Sequence, residues 1–508
     1  MNRPFSRRIC LCLALTALLL GLSASFGIDT NTEEKLADEK VVESTHSSNQ
    51  SLTGFQAGSI YTETVLVSSL EYTCVNMKIP SWVNARTKCW GAANYGYTGL
   101  GNWSQTEEPY FVQYDSGNGM SKSLGSFGFH TVSVQTNGVT NSWGTNEYGE
   151  LGLGYTNTNT IRGNTGNMPP NRTALHVEAG ADTSCMIADD QSVWCWGRND
   201  PFGQTGTNTT TSLNPVLSPT KVLIPNNQSA IALSMGWNFA CVILEDRTGM
   251  CWGKNANGQL GNGNYDYGQF SHPTPAPITI IPPNRTLSAI SLGGGHACSI
   301  LDNGSVFCWG GGRNGQLGDG THSNTSTAGN YVPLPAGRTA ISISSGVRHT
   351  CTILDDHSTW CWGNNTEGQI GDGTSVPNTG EANWEHNHPS SPVAVSVPAG
   401  IEFAAISAGQ DHTCAVATNG SLWCWGGHDR GQLGLGQFWD STGWLSPVDS
   451  DIPAWVNLSG QSAASAFVPL SDRDLDNDGN LSIFDRTPLG TPVCPPGQYL
   501  IVADETCN

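Results

Sequence analysis

Residues 409–436, GQDHTCAVATNGSLWCWGGHDRGQLGLG, decide how this chain folds. The stretch begins with alternating apolar and polar residues, turns at residues 418–420 (Thr-Asn-Gly) and returns to Cys424, which is the pattern of a β-hairpin. A glycine that closes a three-residue turn supplies the left-handed conformation that such a turn requires. Because Cys414 and Cys424 lie equally far from Asn419, the hairpin register places them opposite each other, within reach of a disulfide bond.

Seven copies of this stretch follow one another along the chain, and each contains a Trp-Gly pair. In six copies one glycine stands six residues after the tryptophan and another stands nine residues after it. The tryptophans are Trp90, Trp143, Trp196, Trp252, Trp309, Trp362 and Trp425. Copies three to seven also have a glycine five residues before the first cysteine, at Gly180, Gly236, Gly293, Gly346 and Gly409. Self-similarity at a fixed period is typical of a repeat architecture.

The cysteines follow the same period. The second copy has Val132 and Ser142 at the two cysteine positions, and loss of both together is what a bond predicts. Metal ligands could also be lost together, but two thiolates across a hairpin make an incomplete zinc site. Each disulfide is expected to stabilise the fold by about 2 kcal/mol. The predicted pairs are Cys74–Cys89, Cys185–Cys195, Cys241–Cys251, Cys298–Cys308, Cys351–Cys361 and Cys414–Cys424, with Cys494–Cys507 closing the tail.

Two further apolar segments separate each glycine-rich turn from the next hairpin. Examples are residues 277–281 and 287–292, or 391–397 and 401–407. Two strands and a hairpin make four strands per repeat, so the sequence predicts an all-β, seven-bladed β-propeller of four-stranded blades over residues 54–470.

How the ring closes is left open by the sequence. A strand before the first hairpin, residues 64–68, and a late segment, residues 462–467, each fit the same place in the last blade to form.

The segment CWGKNANGQLGNG at residues 251–263 resembles the repeat of the regulator of chromosome condensation (alpha-tubulin suppressor-like) family. The His-Thr pairs at residues 130–131, 349–350 and 412–413 resemble that family too. The resemblance implies a seven-bladed propeller that acts as a binding platform. Family members include a nuclear exchange factor for a small GTPase, a plant ultraviolet-light receptor and a secreted bacterial inhibitor of β-lactamase, so activity does not follow from the fold.

The N-terminus predicts export. Arg3, Arg7 and Arg8 precede an apolar run that ends at Leu22 and is followed by small residues, so residues 1–27 have the features of a signal peptide and are too short for a membrane span. Residues 28–53 are polar and acidic, as in a disordered linker. The expected location is extracellular or at the cell surface, a compartment that permits disulfides. A net charge of −20 argues against nucleic acid as a partner.

The composition changes after residue 470, where a calcium loop is predicted within a tail of residues 471–508. The loop resembles those of EF-hand, dockerin and thrombospondin type 3 repeats, with oxygen ligands at alternate positions and Gly479 at the sharp turn. Its last position is aspartate rather than glutamate, so a dissociation constant of about 10⁻⁴ to 10⁻³ M is expected. The predicted Ca²⁺ ligands are Asp474, Asp476, Asp478, Asn480, Ser482 and Asp485.

Two histidine groups are candidates for a transition-metal site. His130, His296, His349 and His412 recur at one repeat position, where the other copies have Tyr72, Thr183 and Phe239. That substitution pattern favours packing or capping of a strand over metal binding. The second group is Glu385, His386 and His388 in the loop that follows Gly373. The sequence also contains about a dozen Asn-x-Ser/Thr sequons, including Asn102, Asn171, Asn284 and Asn324.

These observations favour a secreted or cell-surface scaffold without catalytic activity, monomeric, that binds an extracellular protein or glycan. The predicted contact surface consists of the loops that vary while the frame repeats. These loops are residues 155–171, 207–219, 262–275, 321–331, 374–389 and 437–444. The alternatives are an extracellular propeller enzyme, a lyase or hydrolase with axial histidines and carboxylates, and an exchange factor of the nuclear type.

Overall fold

The computed structural model describes residues 66–458, except for gaps at 79–85, 94–95, 100–105, 112–120, 158–162, 165–167, 209–214, 267–271, 377–387, 437, 440–444 and 447–448. It also describes three short strands that lie further along the chain. The predicted signal peptide, linker, calcium loop and Cys494 lie outside the described residues.

Seven sheets of antiparallel strands confirm the predicted seven-bladed propeller, and each sheet takes its four main strands in chain order. Blade 1 has β1 (Leu66–Ser68), β2 (Tyr72–Lys78), β3 (Arg86–Gly91) and β4 (Thr106–Phe111), and blade 2 has β5 (Ser121–Ser126), β6 (His130–Gln135), β7 (Thr140–Gly144) and β8 (Gly163–Asn164). Blade 3 has β9 (Ala174–Ala179), β10 (Thr183–Ala188), β11 (Val193–Gly197) and β12 (Val216–Lys221), and blade 4 has β13 (Ala230–Met235), β14 (Phe239–Leu244), β15 (Gly249–Gly253) and β16 (His272–Pro277). Blade 5 has β17 (Leu287–Leu292), β18 (His296–Leu301), β19 (Val306–Gly310) and β20 (Thr325–Tyr331), and blade 6 has β21 (Ala340–Ser345), β22 (His349–Leu354), β23 (Thr359–Gly363) and β24 (Val393–Ala394). Blade 7 has β25 (Phe403–Ala408), β26 (His412–Ala417), β27 (Leu422–Gly426) and, after the short pair β28 (Phe438–Trp439) and β29 (Leu445–Ser446), β30 (Ser450–Trp455).

The remaining described elements are small. They are β31 (Val468–Pro469), the pair β32 (Leu500–Ile501) and β33 (Thr506–Cys507), and a single 3-10 turn at Pro225–Asn227. Within the described residues no helix has the length and apolar character needed to span a membrane.

The hairpin register is the one that the cysteine spacing predicts. Cys414 pairs with Cys424 across β26 and β27, and a disulfide joins them at a Cα separation of 4.1 Å. Blade 2 keeps the same register with Val132 opposite Ser142. The other disulfides join Cys74–Cys89, Cys185–Cys195, Cys241–Cys251, Cys298–Cys308 and Cys351–Cys361.

The two faces of the propeller differ in the connections they carry. The loop face, as we call it, carries the turns from first to second strands and the connections from third to fourth strands. The hairpin face carries the turns from second to third strands and the connections between blades. The first strands of neighbouring blades contact one another around the axis, and the fourth strands form the outer edges.

Between the two sequence alternatives for ring closure, the structure places the strand before the first hairpin beside β2. The strand at Leu66–Ser68 pairs with β2 and is the innermost strand of blade 1, so it adds nothing to the sheet of blade 7. Residues 462–467 lie outside the described residues, but the next two, Val468–Pro469, pair with β2 as well. The four main strands of each blade are therefore consecutive in the chain, and β31, which follows blade 7, adds to the sheet of blade 1. Blades 1 and 7 also meet through side chains and loops.

The outer strands differ from the sequence prediction. The segment 277–281 is predicted as a strand, but the fourth strand of blade 4 is His272–Pro277, and its first four residues belong to the predicted loop 262–275. Similarly, residues 325–331 of the predicted loop 321–331 form β20. The sequence of β16, HPTPAP, has no apolar alternation and three prolines, which an edge strand tolerates because it pairs on one side only. Ile278 instead packs with the core between blades 4 and 5.

Each blade is joined to the preceding blade by a buried tryptophan. In six of the seven copies the indole Nε1–H donates to a backbone carbonyl of the preceding blade. The donor and acceptor residues are Trp196 and Glu150, Trp252 and Gln204, Trp309 and Gln259, Trp362 and Gln316, Trp425 and Gln369, and Trp90 and Gln432, with N···O distances from 2.9 to 3.0 Å. The last of these bonds closes the ring between blades 7 and 1.

The second of the two recurring glycines that follow the tryptophan, which lies nine residues on in six copies, makes room for the tryptophan of the next blade. A Cβ on Gly434 would lie 2.7 Å from Nε1 of Trp90, and one on Gly371 would lie 2.6 Å from Nε1 of Trp425. Separations under 3.0 Å are not tolerated, so a side chain at either position would push the two blades apart.

A second set of glycines forms a belt around the axis on the loop face. These are the glycines that precede the first cysteine by five residues. A Cβ on Gly346 would lie 2.3 Å from the carbonyl oxygen of Gly409, and one on Gly409 would lie 2.4 Å from that of Ser69. Backbone bonds run alongside, as from Val347 N–H to the Gly409 carbonyl. Direct backbone contact therefore explains why this position recurs as glycine.

Replacing Gly409 with alanine tests this belt. The new methyl group would meet the Ser69 carbonyl and the buried His412 ring, so Gly409→Ala is expected to lower the free energy of unfolding by about 3 kcal/mol. Gly400→Ala is the control, because it meets no atom within 4 Å and has only its φ of +79° to strain, at a cost of about 1 kcal/mol. Urea unfolding under non-reducing conditions measures both. Equal losses for the two variants would contradict the account.

Candidate functional site

The seven innermost strands enclose an axial channel of about 220 Å³. Its lining is rich in serine, and all seven blades contribute to it. Leu70, Phe127 and Val347 form a buried apolar cluster, and they belong to the first-to-second strand turns of blades 1, 2 and 6. The channel therefore meets apolar side chains at the loop face.

Most of the channel serines form hydrogen bonds within the fold. The hydroxyl oxygen of Ser407 accepts the N–H of Ser68 in the next blade at 2.7 Å. Corresponding bonds join Ala408 N–H to Ser344, Ser345 N–H to Ser291 and Leu292 N–H to Ser234. These serines join the inner strands to one another.

Blades 2 and 3 contribute the one His–carboxylate contact among the described channel residues. His176 Nε2 lies 3.1 Å from a carboxylate oxygen of Glu178, and its Nδ1 lies 3.2 Å from the hydroxyl of Ser123. The sequence of contacts from Ser123 through His176 to Glu178 resembles a hydrolase triad. Ser123, however, is only 1% exposed and does not line the channel. Because a nucleophile must reach its substrate, this constellation does not provide the axial active site that the enzyme alternative requires.

The four recurring histidines lie in four different blades and bond to the neighbouring blade. His349 Nε2 lies 2.8 Å from the hydroxyl of Thr413, which itself donates to the Gln369 carbonyl at 3.0 Å. A hydroxyl has a single hydrogen, so His349 must donate its Nε2–H. The same arrangement joins His130 to Ser184, His296 to Thr350 and His412 to Thr73.

These contacts leave no metal site at the histidine positions. A Cβ on Gly346 would lie 2.9 Å from Nδ1 of His349, so the second ring nitrogen faces the backbone of its own blade. Within the part of the chain that the structure describes, no three His, Cys, Asp or Glu side chains are grouped to hold a metal ion. The histidines are structural, as the tyrosine, threonine and phenylalanine in the other copies indicate.

The second histidine candidate is only partly described. Glu385 and His386 lie outside the described residues. His388 is buried, and its Nδ1 accepts the N–H of Asn365 at 3.2 Å. Its carbonyl accepts a bond from His322, so His388 holds the connection between β23 and β24 in place.

A group of carboxylates lies on the loop face at blades 6 and 7. Glu367, Asp411, Asp429 and Asp449 come from separate segments, and burial together with the charges of Asp449 and Asp411 raises the pKa of Glu367 to about 7. Asp449 also accepts the N–H of His428 at 2.7 Å. The sequence offers no signal for this acidic group, because three members come from two separate loops of blade 7 and the fourth, Glu367, comes from blade 6.

The loop face also exposes an aromatic side chain. Trp237 lies in the turn between β13 and β14, and its side chain is 38% exposed. Its backbone lies next to the glycine belt: its N–H donates to the Gly293 carbonyl, and its carbonyl accepts the N–H of Ala181. Leu70 and Val347, at the matching positions of other blades, are buried. A rigid backbone thus presents Trp237 to solvent, whereas the frame tryptophans are enclosed.

Comparison with known proteins places this frame in a family. Residues 86–464 match the RCC1-like domain. The chain belongs to the RCC1-like domain family. The match covers well over half of the sequence, and the repeat that it describes is the one that carries the tryptophan and glycine contacts above.

Two relatives are similar over part of their length. The ultraviolet-B receptor UVR8 of Arabidopsis thaliana is 27% identical over 289 residues, which are 56% of this chain and 62% of the receptor. The secretion-regulating guanine nucleotide exchange factor of Bos taurus is 25% identical over 308 residues, 58% of this chain and 60% of that protein. The chain therefore spans less than two thirds of either relative.

Solved structures agree on the fold. Yeast RCC1 (Prp20), in its crystal structure with Kap60, superposes with a TM-score of 0.62 at 19% identity, covering 82% of this chain and 92% of that chain. Human WBSCR16 superposes with a TM-score of 0.61 at 17% identity, covering 75% and 96%. At these identities the similarity concerns the RCC1-like architecture.

The buried histidines predict acid sensitivity. Burial lowers the pKa of His412 from 6.5 to about 3, so between these values the unfolded chain binds a proton that the folded chain does not. Stability conferred by the neutral ring is therefore complete above pH 6.5 and falls as the pH falls, by about 1.4 kcal/mol per pH unit for this residue. His412→Phe, which introduces the residue that blade 4 has at this position (Phe239), should reduce the slope of unfolding free energy against pH by that amount. Urea unfolding between pH 4 and 6.5 measures it, and an unchanged slope would contradict the assignment.

Proposed function

We propose that the chain is a secreted or cell-surface RCC1-like propeller that binds an extracellular protein or glycan through its loop face and catalyses no reaction. The observation that carries the proposal is Trp237, which is exposed on a backbone fixed by bonds to two neighbouring blades. Rigid, partly exposed aromatic residues are typical anchors of binding surfaces. The acidic group of Glu367, Asp411, Asp429 and Asp449 on the same face gives that surface a charge preference for basic partners.

The division between frame and surface supports binding over catalysis. Inside the frame, the tryptophan, histidine and serine groups described above are engaged between blades. The long third-to-fourth strand connections, which make up most of the predicted contact surface, open on the loop face as well. The end of the predicted loop 155–171 lies instead in an inter-blade turn on the hairpin face. The enzyme alternative has the Ser123–His176–Glu178 chain as its described candidate, and the burial of Ser123 speaks against it. The exchange-factor alternative is supported only by the similarity to the guanine nucleotide exchange factor of Bos taurus, which covers part of that protein.

Matched tryptophan variants test the loop face. Trp237→Ala is expected to weaken partner binding at least tenfold, because truncating a hot-spot aromatic residue costs about 2 kcal/mol or more and about 1.4 kcal/mol corresponds to a factor of ten. Trp455→Ala is the control, since Trp455 is 55% exposed but lies at the end of β30 on the outer edge. The intact chain is immobilised, exposed to medium and envelope extract of its source, and bound protein is quantified. Equal loss in both variants, or loss in Trp455→Ala alone, would contradict the proposal.

We also propose that the tail binds Ca²⁺ through Asp474, Asp476, Asp478, Asn480, Ser482 and Asp485, on the strength of the loop pattern. Calorimetric titration of the intact chain should give one site with a dissociation constant of about 10⁻⁴ to 10⁻³ M. Asp478→Ala should abolish that heat, whereas Asp504→Ala, outside the loop, should preserve it. Retained binding in Asp478→Ala would exclude this loop as the site.

A further inference from the structure

Three inter-blade turns on the hairpin face have the same unusual backbone and the same sequence motif. Asn171, Asn227 and Asn284 have φ values of 59°, 51° and 62°, in the left-handed region. They link the fourth strand of one blade to the first strand of the next, in blades 2 to 3, 3 to 4 and 4 to 5. Each begins an Asn-x-Ser/Thr sequon: Asn-Arg-Thr, Asn-Gln-Ser and Asn-Arg-Thr.

We propose that Asn171, Asn227 and Asn284 are acceptor sites for asparagine-linked oligosaccharide. This inference rests on the export that the proposed function includes, because the transfer takes place in a secretory pathway. In the transfer, the side-chain amide nitrogen forms a bond to the anomeric carbon of an oligosaccharide. The bond from that carbon to a lipid-linked phosphate breaks, and the amide proton leaves with the phosphate.

Part of the sequon can be explained by the geometry of the turn alone, without glycosylation. A left-handed residue is required, and Gly337 and Gly400 supply it in the next two turns with φ values of 77° and 79°. The residue two positions on packs against a hairpin turn, since a Cβ on Gly304 would lie 2.5 Å from the Thr339 Cβ. Glycine therefore suffices for the fold, and asparagine at three of these five turns adds an amide that the fold does not need.

The surroundings of these asparagines suit a bulky modification. All three are exposed, and none of their side-chain amides has a hydrogen bond within the described part of the chain. Asn303 and Asn419, on the adjacent hairpin turns, differ because their amide oxygens accept the hydroxyl of the serine two residues on. A hydroxyl at this position must be free for sequon recognition, so the inter-blade turns are the better acceptors.

Asn364 is a built-in negative control. It also begins a sequon, but it is only 3% exposed, and its amide oxygen accepts the N–H and hydroxyl of Thr366. An oligosaccharide there would have to pass through the packed connection after β23. The folded protein should therefore lack sugar at Asn364.

The position of the three sites has a consequence for binding. Sugar on these turns would cover part of the hairpin face, while Trp237 and the acidic group lie on the opposite face. Glycosylation at these asparagines would therefore leave the loop face as the accessible surface for a partner.

The test expresses the full chain with its own leader in a secretory host that carries out asparagine-linked glycosylation. Peptide mapping by mass spectrometry reads both the N-terminus and the occupancy of each sequon in protein from the medium. The expected result is a cleaved leader, sugar at Asn171, Asn227 and Asn284, and none at Asn364. A secreted, cleaved chain without sugar at these three positions overturns the inference while export stands. A chain retained in the cell with Met1 intact overturns export and this inference together.

Two variants separate the turn geometry from the acceptor. Asn284→Gly should keep the turn, as Gly337 does, and lose one oligosaccharide. Gly337→Asn creates the sequence Asn-Arg-Thr in the matching turn of blades 5 to 6 and should gain one. Thr286→Val keeps the shape of the side chain but removes the hydroxyl, so Asn284 should again be unmodified. Sugar retained at Asn284 in Thr286→Val, or a secreted Gly337→Asn chain without the added oligosaccharide, would contradict the proposal.

Discussion

The hydrogen bond from a buried tryptophan indole to a carbonyl of the preceding blade is the contact on which the ring depends. Each of the described bonds buries a large apolar surface and satisfies the polar N–H in the same place. The bond requires a glycine beneath the indole ring, as Gly434 lies beneath Trp90. The disulfides act within single blades, so they stabilise each hairpin but do not hold one blade to the next.

The carbonyl that accepts the indole also accepts a hydroxyl. Gln432 receives both Trp90 Nε1–H and the Thr73 hydroxyl, and that hydroxyl in turn receives His412. Two donors therefore converge on one backbone oxygen at the junction of blades 7 and 1, and the histidine donates to one of these two. The same network recurs between blades 6 and 7. Because burial lowers the pKa of His412, its protonation at low pH is expected to destabilise the junction. Blade 2, which lacks the cysteines, retains its histidine, His130, in this role.

Local sequence predicts the parts of this structure that depend on local geometry. The spacing of Cys414 and Cys424 sets a hairpin register, and the recurring Trp-Gly pair sets the repeat, because both depend on residues that are close in the chain. The outer strand His272–Pro277 is not predicted, because an edge strand needs no apolar alternation and the three prolines of this strand argue against a strand in the sequence. Ring closure is also beyond the sequence, because the pairing of Leu66–Ser68 with its own blade is decided by packing across the whole ring. The acidic group around Glu367 escapes prediction for the same reason, because Glu367 of blade 6 meets the three aspartates of blade 7 only when the two blades are side by side.

The most direct test of this account is hydrogen exchange at the indole nitrogens. With ¹⁵N-labelled tryptophan, the Nε1–H of Trp90 should exchange with deuterium as slowly as those of Trp252 and Trp425, because all three donate to a carbonyl of the preceding blade. The exposed Trp237 should exchange rapidly. If Trp90 exchanged as fast as Trp237 while the other two stayed protected, blades 7 and 1 would not be joined by this bond, and the ring would have to close by other means.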